Sequence, residues 1–78
     1  MTKNEINETR TFIADIHESL CMDKVSPYEL ALLYDIVKKL MDQRVKAKDK
    51  KMKLALISLE HAARQEVTLV ERRLATNN

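Results

Sequence analysis

Apolar residues recur every three or four positions along most of this chain, which is the period of an amphipathic α-helix. The first such stripe runs from Ile6 to Leu20 and predicts a helix over about residues 4–21, with Asn4 as its N-cap. Charged and amide side chains occupy the opposite face. The first helix is therefore expected to bury one side only.

The clearest boundary in the sequence is the run Ser26-Pro27-Tyr28-Glu29. A capping Ser, a Pro at the first helical position and a Glu at the third form the signature of a capping box. A second helix is predicted over about residues 27–44. Its apolar residues cover more than one stripe, so we expect this helix to lie at the centre, with neighbours on two sides.

A third stripe predicts a helix over about residues 50–75. Its members are Met52, Ala55, Leu56, Leu59, Ala62, Ala63, Val67, Val70 and Leu74. At about 100° per residue, the twelve residues from Leu40 to Met52 leave the second and third stripes roughly 120° out of register. This phase difference predicts a break near residues 45–49, with Asp49 capping the third helix. One bent helix is the alternative.

The composition agrees with helices alone. The chain has 78 residues, no Gly and one Pro, so tight hairpin turns that need a positive φ have no easy residue. We predict an all-α fold of three helices in a single domain, residues 1–78. It is a helical hairpin preceded by a short N-terminal helix.

Size then predicts an assembly. A lone core in so small a chain supplies only about 3–5 kcal/mol. The single Cys21 excludes an internal disulfide, and two distant histidines, His17 and His61, disfavour a metal site. An oligomeric bundle is therefore expected, in which the long third helix packs on another copy of the chain. The predicted interface residues are Met52, Leu56, Leu59, Ala63, Val67 and Val70.

Several classes of function are disfavoured. Without Gly there is no phosphate-binding loop, nucleophile elbow or dinucleotide fingerprint. Both histidines are expected at the surface and Cys21 as an inert thiol, so we predict neither an enzyme nor a cofactor. No run approaches the ~18 apolar residues of a membrane span. A soluble intracellular protein with a reduced thiol is expected.

Positive charge is concentrated in residues 38–53, here called the basic segment. It holds eight Lys and Arg side chains against two Asp, a balance of +6 in a chain of net charge +2. Two interpretations stay open: a solvated turn, or a site for an anion. Acidic flanking helices disfavour a nucleic acid as the partner. Tyr28 and Tyr34 can stack on a base, unless Tyr34 is a core residue and Tyr28 a half-buried neighbour of the cap.

The run Lys50 to Arg72 resembles the long helix of a phage family of small helical-hairpin sponges, which capture the cyclic nucleotides used as alarm signals in CBASS and Thoeris immunity. Leu54-Ala55-Leu56, Leu59-Glu60 and Ala62 match its Leu-Ala-Leu-x-x-Leu-Glu-x-Ala pattern. Residues 25–36 are similar to the family's Leu-Ser-x-x-Glu helix entry. The family's Trp and its Pro-bearing loop are missing here.

The resemblance implies a homo-oligomer that binds a cyclic di- or trinucleotide between protomers in the host cytoplasm, without catalysis. The residues expected to contact phosphate or base are Lys24, Tyr28, Lys38, Lys39, Lys48, Lys50 and Arg72. The alternative is a helical protein–protein interaction module whose third helix docks on a host protein, with the lysines only solvating the bend.

Overall fold

The computed structural model describes residues 1–76, which form three α-helices and no strand. Helix α1 spans Lys3–Cys21, α2 spans Pro27–Lys46 and α3 spans Lys50–Thr76. The predicted all-α class and its three helices are confirmed. Each observed boundary lies within about two residues of the predicted one, which is the usual scatter at helix ends.

Thr2, and not Asn4, caps α1. The Thr2 Oγ accepts a hydrogen bond from the Glu5 N–H at 3.2 Å, and the Glu5 carboxylate accepts from the Thr2 N–H at 3.0 Å. This reciprocal pair is a complete capping box. The hydrogen bond from the Thr2 N–H also holds the pKa of Glu5 below its usual value. The predicted Asn4 cap was wrong because the box places the helix start two residues earlier.

The connection between α1 and α2 is short. The Lys24 N–H donates to the Ser19 carbonyl at 2.8 Å, and Asp23 takes a positive φ of 58°, so the chain closes the end of α1 with a left-handed turn. The predicted capping box at Ser26 then begins α2: the Glu29 carboxylate accepts from the Ser26 N–H at 2.8 Å and from its hydroxyl. These bonds lower the pKa of Glu29.

The predicted break between the second and third helices is confirmed at residues 47–49. Ala47 has an extended backbone, with φ −69° and ψ 129°, which excludes one continuous bent helix. Asp49 immediately precedes α3, and its carbonyl accepts from the Lys53 N–H at 2.9 Å. Its carboxylate, however, makes no hydrogen bond to any of residues 1–76. The predicted side-chain cap by Asp49 is therefore not formed.

The three helices run up, down and up, so α1 and α3 are parallel. The α-amino group of Met1 donates to Gln43 late in α2 at 2.7 Å, and Arg73 late in α3 reaches Asp23 after α1 at 3.1 Å. Helix α3 packs along both α1 and α2, which barely touch each other. The prediction that α2 is central was wrong, because the stripe of α3 is wide enough to bury two neighbours.

The core lies along α3 in two clusters. The first surrounds Leu40 and Leu56, and the second surrounds Leu33 and Val70. The remaining buried apolar side chains are Ile6, Ile13, Ile16, Leu20, Leu59 and Ala63. Ala63 has no exposed surface, and a residue this small lets the neighbouring helices approach α3 closely.

Most of the residues predicted to contact another copy are part of this core. Leu56, Leu59, Ala63 and Val70 are at most 3% exposed within one chain. The other two, Met52 and Val67, are partly buried against the same clusters. The sequence argument expected the long third helix to pack on another copy of the chain. In fact α1 and α2 cover this stripe together, so a second copy must use a different face.

None of the helices within residues 1–76 combines the length and the apolar character that crossing a membrane requires.

Two leucines on α3 provide a matched test of this core. Leu56 is 1% exposed and Leu54 is 57% exposed. We expect Leu56→Ala to lower the free energy of unfolding by about 2–5 kcal/mol, because it leaves a cavity between helices. At a protein concentration where the chain is monomeric, Leu54→Ala should change it by no more than about 0.5 kcal/mol, since Leu54 lies outside the core. Urea unfolding followed by circular dichroism measures both, and equal losses would contradict the packing described here.

Candidate functional site: the basic end of the bundle

Three of the eight cations in the basic segment have acidic partners. Arg44 Nε lies 3.0 Å from Glu60 Oε1, and Lys46 Nζ lies 3.1 Å from an oxygen of Asp42. Lys39 Nζ reaches Glu5 only at 3.9 Å, between two half-exposed side chains. The first pair ties α2 to α3, while the other two lie on the surface, where ion pairs contribute little.

The other five cations of the segment have no acidic partner within residues 1–76. They are Lys38, Lys48, Lys50, Lys51 and Lys53, and all of them are exposed. The first turn of α3 has no acidic residue, although acids are favoured at the positive end of a helix dipole. Because α1 is parallel to α3, both helices start at this end. The unpaired lysines therefore make this end of the bundle positive, and the N-termini of α1 and α3 outnumber the one helix C-terminus there, that of α2.

A cleft of about 390 Å³ opens at this end between α1 and α3. Its cations are Lys3 and Arg10 from α1 and Lys51 from α3, and its polar lining is completed by Asn7 and Asp49. The apolar part consists of Ile6, Met52 and Ala55. Cations above an apolar floor suit a ligand that carries phosphate on one part and a flat, less polar group on another.

The residues predicted to bind the ligand fall in three separate places. Lys48 and Lys50 are at the basic end. Lys38 and Lys39 are exposed along the middle of α2. Lys24, Tyr28 and Arg72 are at the opposite end of a molecule that is 43 Å long. Arg72 there borders a cleft of about 380 Å³ with Leu20 and Arg73. No single site in one chain brings all seven together.

The two tyrosines are more exposed than the core interpretation of the sequence expected. Tyr34 is not a core residue: it is 49% exposed, and its hydroxyl donates to Glu71 at 2.7 Å. That hydrogen bond raises the pKa of Tyr34. Tyr28 is 69% exposed, so it is more solvated than a half-buried neighbour of the cap. Neither ring lines the basic cleft.

Glu60 is a buried carboxylate held between two guanidinium groups. Its oxygens accept from Arg44 Nε and Arg64 Nε, each at 3.0 Å, and only 12% of the side chain is exposed. Burial opposes its ionisation, but the hydrogen bonds from Arg64 and Arg44 outweigh this effect and hold the pKa of Glu60 below its usual value. The triad fixes Arg44 as a structural residue of the basic segment.

Glu66 is also buried, between α1 and α3. One carboxylate oxygen lies 2.6 Å from His17 Nδ1, and the other is buried without a hydrogen-bond partner in residues 1–76. His17 is half exposed, as expected for a surface residue, yet it joins two helices. His61 is exposed.

Residues 1–76 contain no group of three or more His, Cys, Asp or Glu side chains that could hold a metal ion. Cys21 is an exposed free thiol at the end of α1.

The sequence reasoning overlooked the contribution of α1. Lys3, Arg10 and Lys51 line the cleft, but the first two are distant in sequence from the basic segment. Glu60 and Glu66 were also overlooked as buried residues. The burial of Glu66 could have been predicted from its spacing, because it lies three positions after Ala63 and four before Val70, on the buried stripe itself.

Comparisons with protein-family models, curated proteins and solved structures give no match to this chain. The similarity to cyclic-nucleotide sponges therefore stays a hypothesis, and the geometry described above has to support any function.

The Glu60 triad predicts a pH-dependent contribution to stability. A carboxyl group whose pKa is lower in the folded state than in the unfolded state stabilises the fold. This contribution is fully present above the unfolded pKa, near 4.5, and is lost as the pH falls through the folded-state pKa. We expect Glu60→Gln to lower the free energy of unfolding at pH 7, on the order of 1 kcal/mol. Near pH 3 the difference in the free energy of unfolding between Glu60→Gln and the parent protein should be smaller.

Urea titrations at the two pH values test this expectation. Glu8→Gln is the matched control, because Glu8 is exposed and has no side-chain partner among residues 1–76. A Glu60→Gln deficit that is as large at pH 3 as at pH 7 would contradict the charge-based account of the triad.

Proposed function

We propose that this protein binds and sequesters a cyclic di- or trinucleotide between protomers, without catalysis, in the cytoplasm of a phage-infected cell. The observation that carries the proposal is the concentration of unpaired cations around a cleft at one end of the bundle. Lys3, Arg10 and Lys51 line this cleft, and Lys48 and Lys50 directly adjoin its lining residue Asp49 in the chain. Several cations that converge without acidic partners favour a ligand with more than one phosphate.

The dimensions of the cleft support a ligand that is shared between chains. A volume of about 390 Å³ is near the lower limit, roughly 300 Å³, of pockets that enclose a small molecule. One nucleotide unit fits this volume, and the rest of a cyclic ligand would extend beyond the rim. A second copy can cover that part, and only a second copy can bring Lys24, Tyr28 or Arg72 to it. The resemblance to the sponge family points to the same arrangement.

Unpaired and paired lysines of the basic segment give a matched test. We expect Lys50→Ala and Lys51→Ala each to weaken binding of cyclic dinucleotides about tenfold, since each removes a charge-assisted contact to phosphate. Lys46→Ala changes the net charge equally, but Lys46 is already paired with Asp42. This variant should therefore weaken binding by about twofold or less. Isothermal titration calorimetry with a panel of cyclic di- and trinucleotides measures the three affinities.

Two results would count against the proposal. A parent protein that binds no member of the panel at 50 mM salt would end the nucleotide hypothesis. Equal losses for Lys46→Ala, Lys50→Ala and Lys51→Ala would mean that only the overall charge matters, as for a solvated basic surface.

An exposed apolar patch supports a second candidate, a protein-interaction module. The patch consists of Met41 and Val45 on α2 and Leu54 and Ile57 on α3, which are 40–77% exposed. Each pair is three or four positions apart on its helix, so its members are neighbours. The stripe of α3 that was predicted as the interface is buried in the core. This exposed face is therefore the surface that can bind a second copy or a host protein.

Self-association provides the test of this face. We expect the parent protein to sediment as an oligomer and Leu54→Glu to shift it to the monomer, since the new charge would be buried at the interface. Leu69→Glu is the control, because Leu69 is also an exposed leucine of α3 but lies about four turns away. A parent protein that is monomeric at 100 μM would contradict the oligomer, as would Leu54→Glu sedimenting like the parent.

A further inference from the structure

We infer that the exposed apolar patch is a docking site for an acidic amphipathic helix of another protein. The inference rests on the second candidate above, the interaction module, and adds the chemistry of its partner. Its basis is that lysines without acidic partners border the patch on both helices, and that the patch continues into a groove between them.

The patch lies on the outer face where α2 and α3 meet. A guanidinium nitrogen of Arg64 on α3 donates to the Met41 sulfur on α2 at 3.0 Å, so both helices contribute to one surface. A cleft of about 190 Å³ continues this surface along the two helices. It is lined by Tyr34 and Val37 from α2 and by Arg64, Val67 and Thr68 from α3.

The size of this surface matches one helix. From Tyr34 to Val45 the exposed side of α2 extends over about eleven residues, or roughly 16 Å, which is three helical turns. A helix that docks in a groove contributes apolar side chains three or four positions apart. Met41 and Ile57 already have more than half of their surface covered, which suits contact with such a helix better than insertion into a lipid surface.

Lysines border the patch on both helices. On α2, Lys38 lies three positions before Met41. On α3, Lys50 and Lys53 each lie four positions before an apolar member of the patch. Residues three or four positions apart are neighbours on a helix surface. All three lysines are exposed and have no acidic partner within residues 1–76, so their charges are available to a partner.

The two acids that lie three positions from a member of the patch are already engaged. Asp42 pairs with Lys46, and the buried Glu60 is held between two guanidinium groups. The border of the patch is therefore positive. A helix with Glu or Asp beside its apolar stripe complements this border. A second copy that presents the same face would place lysines opposite lysines, so we expect an acidic helix to displace it.

The test uses two synthetic helical peptides of about 14 residues with the same leucine stripe, flanked by Glu in one and by Lys in the other. We expect the parent protein to bind the Glu peptide at least about tenfold more tightly at 150 mM salt, since the lysines attract one probe and repel the other. Fluorescence anisotropy of labelled peptides measures both affinities. Sedimentation should show the Glu peptide converting the oligomer into a one-to-one complex.

Three variants locate the docking site. We expect Lys53→Glu and Ile57→Gln each to weaken binding of the Glu peptide about tenfold, because the first reverses a bordering charge and the second removes apolar area from the interface. Lys51→Glu is the control for charge. Lys51 lies on the same helix but lines the basic cleft on the α1 side, so this variant should change the affinity by about twofold or less.

The outcomes separate the inference from the interaction module itself. Equal binding of the two peptides, or equal losses for Lys51→Glu and Lys53→Glu, would overturn the acidic helix as the partner. An oligomer that Leu54→Glu dissociates but that binds neither peptide would also overturn it, and would leave a second copy as the occupant. A monomeric parent protein that binds neither peptide would overturn the module as well.

Vesicles of phosphatidylglycerol and phosphatidylcholine give the last comparison. Vesicle binding that Lys53→Glu and Ile57→Gln weaken as much as peptide binding would overturn the helix in favour of a lipid surface.

Discussion

The structure depends on one constraint: a single helix, α3, has to bury two others along one face. Leu56, Leu59, Ala63 and Val70 form a stripe that contacts α1 on one side and α2 on the other. The size of Ala63 matters here, because a larger side chain would push both neighbours away. Small chains have little core to lose, so nearly every buried side chain of this protein belongs to that stripe or faces it.

The same constraint determines where the charges lie. Because α1 and α3 are parallel and start at the same end, the basic segment is brought beside the first residues of the chain. Lys3 and Arg10 then join lysines that are more than 35 residues away in sequence. The far end carries a more balanced charge, where Arg73 meets Asp23 at 3.1 Å. The uneven distribution of charge between the two ends of the molecule therefore results from the helix topology as much as from the composition.

Sequence reasoning predicted the parts of this protein that depend on local signals. The helical period, the Ser26 capping box and the phase break before α3 are each encoded within a few residues. The central role of α3 and the burial of Leu56 and Val70 within a single chain were beyond its reach, because they depend on how two helices share a third. The cleft was missed for the same reason, since two of its three cations, Lys3 and Arg10, come from α1. Glu66 shows the limit well: its position on the buried stripe was visible in the sequence, but its pairing with His17, 49 residues away, was not.

The slight contact between α1 and α2 has a consequence for how the molecule opens. Helix α1 is anchored almost entirely through α3, and one of its anchors, Glu66, keeps an unpartnered buried oxygen. Detaching α1 while the α2–α3 hairpin stays intact is therefore the least costly partial unfolding, and amide hydrogens of α1 would exchange before those of α3. A ligand in the basic cleft would contact both α1 and α3. A bound ligand would then hold α1 in place, so that part of the binding free energy would offset the cost of ordering α1 against α3.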